Sequence, residues 1–221
     1  MKKLIKKILP AGLLNMLRNW RNAIAPPAML KEEKRQMKER AQFFAQFVKT
    51  GDLCFDVGAN MGNRVQPLLD NGARVVAVEP QETCYRALEK KFGNSIQIVK
   101  KGVDEQKGVK DFYISDSSTI STFSEEWLEQ VKDNRFKGQE WNKKVQVEMT
   151  TMDELIREFG RPEFVKIDVE GFELQVMKGL SQPVPLVCFE YAVPEQKQSL
   201  INCVAHLQGL SNNYEFNFCV G

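Results

Sequence analysis

Histidine is almost missing from this chain: His206 is the single imidazole in 221 residues. A histidine-rich metal centre is therefore excluded, and any histidine general base would have to be this one residue. It falls in a helical stretch away from the strand ends where chemistry collects, so it reads as a surface or core residue. Cysteine is sparse as well, and Cys54, Cys84, Cys188, Cys203 and Cys219 stand singly with no Cys-x-x-Cys pair. That pattern excludes a zinc ribbon and a disulfide framework, and reduced core thiols imply a reducing, cytoplasmic setting. No uncharged apolar run reaches the roughly 20 residues of a membrane span. The first 24 residues, MKKLIKKILPAGLLNMLRNWRNAI, come nearest, but Lys6, Lys7, Pro10 and Arg18 interrupt them. Internal repeats and low-complexity tracts are also absent.

The net charge of +2 conceals a division: residues 1–40 carry +8 and the remainder −6. A mildly acidic body lacks the basic face of a nucleic-acid binder, so no nucleic-acid partner is expected. Within residues 1–24 the lysines alternate with Leu4, Ile5, Ile8, Leu9, Leu13, Leu14, Leu17 and Trp20. Such an arm either packs on its own domain or a second subunit, or lies peripherally on an anionic membrane. After Pro26-Pro27 a second helical stretch, Ala28–Lys49, reads as a brace that ends at Gly51. The expected organisation is a basic helical arm and brace over residues 1–49 and one domain over 50–221. With 43% apolar residues the second part can bury a single core.

From Asp52 onward strand-like and helix-like runs alternate, which predicts an α/β fold with a doubly wound, mostly parallel sheet. Strands are expected at Leu53–Val57, Arg74–Val78, Ile96–Lys100, Phe164–Asp168 and Leu186–Glu190. Helices are expected at Arg64–Asp70, Thr83–Lys91, Met152–Phe159, Phe172–Lys178 and Glu195–Leu207. Thr151-Met-Asp-Glu154 has the form of a capping box, and Gly160 supplies the stop. An insertion, Ile114–Trp141, is bracketed by β-like runs at Val109–Ile114 and Lys144–Thr150. Its Ser115–Ser124 stretch and Trp127 suit either a lid over a polar acceptor or an ordinary serine-rich loop.

The loop Asp56-Val-Gly-Ala-Asn-Met-Gly62 joins the first strand to the first helix of this domain. Gly58 and Gly62 permit a sharp turn and close approach of a ligand to the main chain, while the helix points free amides at it. Glu79 ends the second strand, 21 residues after Gly58, where a carboxylate accepts hydrogen bonds from both hydroxyls of a ribose. The dinucleotide fingerprint has glycine at its middle position, but Asn60 stands there in this chain. Asp56 adds an acceptor suited to an ammonium or sulfonium group rather than to a pyrophosphate. Asp56, Gly58, Asn60, Gly62 and Glu79 are thus the candidate cofactor-binding residues, and S-adenosylmethionine fits them better than a nicotinamide dinucleotide.

Four segments together resemble the FkbM-type methyltransferases: Phe55-Asp-Val-Gly-Ala-Asn-Met-Gly62, Val78-Glu-Pro80, Thr151-Met-Asp-Glu-Leu155 and Val165-Lys-Ile-Asp-Val-Glu-Gly-Phe-Glu173. The resemblance runs over about Gly51–Tyr191 and implies a class I, Rossmann-like enzyme that uses S-adenosylmethionine, mostly for O-methylation of sugars or polyketides. It also implies that Gly58, Asn60, Gly62 and Glu79 hold the donor. Val65 departs from the pattern, since the family commonly has a hydroxyl residue there. Members commonly run on past the Gly221 equivalent, so the sheet is expected to lack a final strand.

Methyl transfer to a hydroxyl requires alignment and removal of a proton. Strand alternation puts Lys166 and Asp168 on one face at the carboxyl edge of the sheet, and Glu190 ends the neighbouring strand. Asp168, Lys166 and Glu190 are the candidate catalytic residues, with Asp168 the first choice for base. Its alternative role is to cap the helix Phe172–Lys178, with Glu170 and Glu173 simply favouring the dipole of that helix. Asp168 and Glu190 together could hold a divalent metal, but a metal-free mechanism is preferred. The expected function is transfer of methyl to a small-molecule or glycan hydroxyl: a sugar, a glycolipid precursor or a secondary metabolite. The alternatives are an NAD(P)-dependent reductase, against which stands the lack of a Tyr-x-x-x-Lys pair in the second half, and a non-catalytic nucleotide-binding module tethered by the basic arm.

Overall fold

The structure, a computed structural model, describes residues 27–219. The arm at residues 1–24 lies outside the described residues. Helix α1 (Pro27–Phe44) opens the described chain, and its exposed face is laced by ion pairs of Arg35 with Glu32 and Glu39. The chain divides into two units at Arg40–Ala41. No helix among the described residues is long and apolar enough to cross a membrane. The sheets and the candidate site belong to the second unit, whose first residues include Phe44 and Val48, both buried in its core.

Five strands form the main sheet: β1 (Leu53–Val57), β2 (Arg74–Val78), β3 (Gln97–Val99), β7 (Phe164–Ile167) and β8 (Leu186–Phe189). Their order is β3-β2-β1-β7-β8 and every pairing is parallel. Strands buried on both faces need continuous apolar runs, which Leu-Cys-Phe-Asp-Val and Arg-Val-Val-Ala-Val supply except at Asp56 and Arg74. Helices α2 (Val65–Asp70) and α3 (Glu82–Phe92) carry Leu68, Leu88 and Phe92 into the cluster that contains Cys54, Val75, Ala77 and Phe164. The other face of the sheet, with Phe55, Val57, Val76, Val78, Val165 and Ile167, joins α5 (Met152–Phe159), α6 (Glu173–Lys178) and α7 (Lys197–Leu210) in a second cluster. The result is a three-layer α/β sandwich whose winding reverses between β1 and β7. At such a reversal the connections leave in opposite directions and open a crevice beyond the strand ends.

A smaller sheet sits beside this frame, ordered β4-β6-β5 and built from β4 (Gly102–Val103), β5 (Gly108–Ile114) and β6 (Lys143–Thr150). Strands β5 and β6 pair antiparallel from Gly108↔Met149 to Ile114↔Lys143, so the insertion between them leaves and returns at one place. Helix α4 (Glu125–Val131) lies within that insertion, capped by Ser124, whose hydroxyl accepts from the Trp127 amide at 3.1 Å. No strand occurs in residues 211–219. Half of the expected capping box forms, since the Thr151 hydroxyl accepts from the Glu154 amide at 3.2 Å while the Glu154 carboxylate turns to Lys107 and Arg157.

Candidate active site

The turn after β1 has three left-handed residues: Gly58 at φ +79°, Asn60 at φ +46° and Gly62 at φ +76°. Asparagine tolerates that region because its short amide can bond locally, and here the Asn60 Oδ1 accepts from the Met61 amide at 2.8 Å. Asn60 therefore performs the backbone task that glycine has in a dinucleotide loop. Neither glycine, however, leaves its missing side chain's space to a ligand. A Cβ on Gly58 would lie 1.9 Å from the Asp168 carbonyl oxygen, and one on Gly62 would lie 2.4 Å from the Phe92 ring. Both are glycine because protein, not cofactor, packs against them: one lets the ends of β1 and β7 close together, and the other seats the loop on α3.

Glu79 follows β2 and is only 5% exposed. Its two carboxylate oxygens accept the amides of Asn60 and Gln81, each at 2.8 Å, so the carboxylate of the second strand holds the loop of the first. Burial pushes its carboxyl up to about 7, although those two amides pull the other way. Glu173 behaves alike: burial raises it to about 7 while its Oε1 accepts the amides of Val169 and Gly171. A folded pKa raised above the unfolded value gives stability that is complete below about 4.5 and lost as pH rises through about 7. For Glu79 the change is on the order of 3 kcal/mol at most. The melting temperature of the ligand-free chain is thus expected to fall between pH 5 and pH 8, less steeply in Glu79→Gln; a rise across that window would contradict this account.

Across the reversal, Asp56 and Lys166 are register partners on adjacent strands. Lys166, 7% exposed, donates to Asp168 Oδ2 at 2.8 Å and stands 3.5 Å from Asp56 Oδ1. The second distance is an ion pair rather than a hydrogen bond, and both Asp56 oxygens are fully buried without a hydrogen-bond partner. Burial raises the Asp56 carboxyl against the pull of Lys166. Burial also opposes the charge on Asp168, but Lys166 and a hydrogen bond from Glu190 outweigh it and hold Asp168 below the usual carboxylate range. Glu190 takes the opposite shift, upward, chiefly because it shares that hydrogen bond with Asp168. The alternative capping role of Asp168 is not what the structure shows: the N-cap of α6 is Phe172, with no side-chain cap, and the amides of Val169 and Gly171 in the preceding turn go to Glu173.

These groups open on one cavity of about 250 Å³. Gly58, Asn60 and Glu79 form its wall on the β1–β2 side, and Lys166, Asp168 and Glu190 form it on the β7–β8 side. Asp56 and Gly62 are not brought to the wall; Asp56 meets the cavity only through its charged neighbour Lys166. The serine-rich insertion contributes Ser118, Thr119 and Ser121. It is tied to the loop after β1 by the Asn60 Nδ2, which donates to the Ser118 carbonyl at 3.0 Å. On the other side the Thr122 hydroxyl donates to the Glu170 carbonyl at 2.7 Å. His206 lies apart, its Nε2 3.1 Å from the Leu180 carbonyl.

The family model of the methyltransferase FkbM domain matches residues 56–205, which contain both sides of this cavity. The chain belongs to the FkbM methyltransferase family. It is an α/β, class I type S-adenosylmethionine-dependent methyltransferase with a Rossmann-like, doubly wound sheet. Comparison with curated proteins gives no match. Among solved structures it is similar to a putative rRNA methylase from Clostridium thermocellum, with 14% identity, TM-score 0.41 and 80% of each chain covered. A TehB-like SAM-dependent methyltransferase from Corynebacterium glutamicum aligns with 11% identity and TM-score 0.45 over 90% of this chain and 84% of its own. A putative RNA methyltransferase from Pyrococcus horikoshii aligns with 20% identity and TM-score 0.25 over 28% of this chain and 34% of that one.

Sequence reasoning misses one acidic residue of this FkbM methyltransferase site. In sequence Glu170 falls in the strand-end segment at the carboxyl edge but has no role beyond favouring a helix dipole, yet it lines the cavity, and one of its carboxylate oxygens lies within 4.8 Å of one from Asp168 and one from Glu190. The available signal is the Glu170-Gly171 pair, a residue followed by glycine as in a turn, and both residues are left-handed, at φ +53° and +89°. Phe112, Phe123 and Phe172 are likewise cavity residues that no sequence pattern marks. Their contact is long-range, with rings of Phe112 and Phe123 4.5 Å apart and of Phe123 and Phe172 5.6 Å apart.

Proposed function

We propose that this chain transfers methyl from S-adenosylmethionine to a hydroxyl of a small molecule or glycan. The reading rests chiefly on one observation: Glu79 on one side, and Asp168 with Glu190 on the other, open on a single cavity. The cofactor suits these residues on chemical grounds. A carboxylate has about four acceptor positions. Glu79 uses two of them on backbone amides, which leaves capacity for a pair of ribose hydroxyls. The acid-rich opposite wall favours a ligand of positive charge, and the buried Asp56 lends negative potential behind Lys166. The bound cofactor supplies the methyl group on an electrophilic sulfonium.

The chain's own groups orient and deprotonate. Lys166 fixes the Asp168 carboxylate by its 2.8 Å hydrogen bond and keeps it ionised, so Asp168 is able to accept a proton. Glu190 shares a hydrogen bond with Asp168 and passes that proton toward solvent, to which it is exposed. Phe112, Phe123 and Phe172 exclude water from the adjoining wall, and Ser118 and Thr119 offer hydroxyls to a polar acceptor. Metal-free proton transfer requires only these groups. The preferred test incubates the full chain with methyl-labelled S-adenosylmethionine and separate panels of sugars, phenols and amines. Label on oxygen is expected; label confined to nitrogen or carbon acceptors would remove the hydroxyl reading.

A further inference from the structure

Three carboxylates, from Asp168, Glu170 and Glu190, crowd one end of the cavity, and proton removal from a hydroxyl employs two of them at most. Glu170 is held in place from both directions. Thr122 donates to its carbonyl at 2.7 Å, and the adjoining Gly171 lies against the Trp127 ring, where a Cβ would come within 2.5 Å. The insertion thus presses this residue, in a left-handed conformation that glycine would adopt more easily, against the cavity that holds the donor. Resting on the proposed function, the location of the donor's sulfur is set by the reaction. Reacting atoms must stand about 3–3.5 Å apart, and the acceptor oxygen must reach Asp168. With the methyl carbon between sulfur and acceptor oxygen, the sulfur then stands within about 8 Å of Asp168, a range over which the charges of this wall still act on it.

We propose that Asp168, Glu170 and Glu190 read the charge on the donor's sulfur, favouring the sulfonium over the neutral thioether left after transfer. Donor and spent donor differ by one methyl group and one positive charge, so a wall that answers to charge separates them where shape does so poorly. Several charged groups face Glu170: Lys166 from β7, Asp168 just after it, Glu190 after β8 and Glu173 from α6. Burial first, and then the three like charges, push its carboxyl up to about 9, with Lys166 opposing them. In the empty cavity at neutral pH, Glu170 therefore keeps its proton. A cation beside it favours ionisation, and the proton leaves to solvent as the sulfonium is taken up. After transfer the positive charge is gone, the proton returns, and the hold on the product weakens.

The test is calorimetry of the full chain at pH 7.5 with S-adenosylmethionine and S-adenosylhomocysteine, each in two buffers of different ionisation enthalpy. The wild type is expected to bind S-adenosylmethionine about tenfold more tightly, a ratio that one partly screened charge interaction supplies. It is also expected to release more protons with that ligand than with the homocysteine. Glu170→Gln, checked for an intact melting transition, should bring the two affinities within about threefold and abolish the difference in proton release. Equal affinities and equal proton counts in the wild type would overturn the proposal without any variant, as would an unchanged ratio in a folded Glu170→Gln. Binding of neither compound would instead remove the donor assignment on which the inference stands.

Discussion

Asp168→Asn is expected to lower the rate of methyl transfer by about 10²–10⁴-fold while S-adenosylmethionine affinity falls by no more than about tenfold. The first figure is the usual contribution of a positioned base. The second allows for the loss of one of the three carboxylates that face the sulfonium, while the ribose contacts at Glu79 on the other wall are untouched. An amide keeps the shape of the carboxylate and still accepts from Lys166 through its oxygen, so folding should survive. It neither takes a proton nor carries the charge that Lys166 stabilises at 2.8 Å. Single-turnover rates with bound donor separate the two effects. Full activity in this variant would take Asp168 out of the chemistry, and an equal loss of donor binding would move it to the other wall.

Among the glycines of the described residues, Gly58→Ala brings the added Cβ nearest to another atom and should be the most damaging of these substitutions. The added Cβ would sit 1.9 Å from the Asp168 carbonyl oxygen, a backbone atom with no freedom to step aside, at φ +79°. Left-handed strain alone is worth about 1–3 kcal/mol, and overpacking adds a comparable amount. A destabilisation of about 3–5 kcal/mol is expected, together with loss of donor binding as β1 and β7 separate at the site. Gly51→Ala provides the control: φ is +91° there, but nothing lies within 4 Å of the added atom. It should destabilise by about 1–2 kcal/mol and leave donor binding unchanged. Equal destabilisation by both substitutions would show that strain, not the approach of Asp168, makes Gly58 necessary.

Much of this molecule is legible in its sequence because the relevant signals are local. The strands Leu53–Val57 and Arg74–Val78 occur as expected, since each is a short apolar run closed by a turn residue. The same reasoning places Lys166 and Asp168 on one face, and their ion pair confirms it. Features that escape it depend on contacts between residues distant in the chain. Gly58 and Gly62 look like a ligand cradle in sequence, yet Asp168 and Phe92 fill the space. Asp56 looks like a donor ligand, but the crossing of β1 beside β7 buries it behind Lys166. The two-residue strand β4 is too short for periodicity to reveal, and the helix α4 lies in an insertion whose serine-rich composition reads as a loop. Glu170 is hidden because its place depends on a left-handed bend and on Thr122, 48 residues away.

The most direct trial of the whole account is a calorimetric titration of the wild type and Glu79→Ala with S-adenosylmethionine and, separately, with NADH. The wild type should bind S-adenosylmethionine and ignore NADH. Glu79→Ala should lose about 1–3 kcal/mol of that affinity, because two charge-assisted hydrogen bonds disappear and the Asn60 loop loses its anchor. Binding of NADH alone, or undiminished S-adenosylmethionine affinity in a folded Glu79→Ala, would contradict the assignment of the cavity as the methyl-donor site.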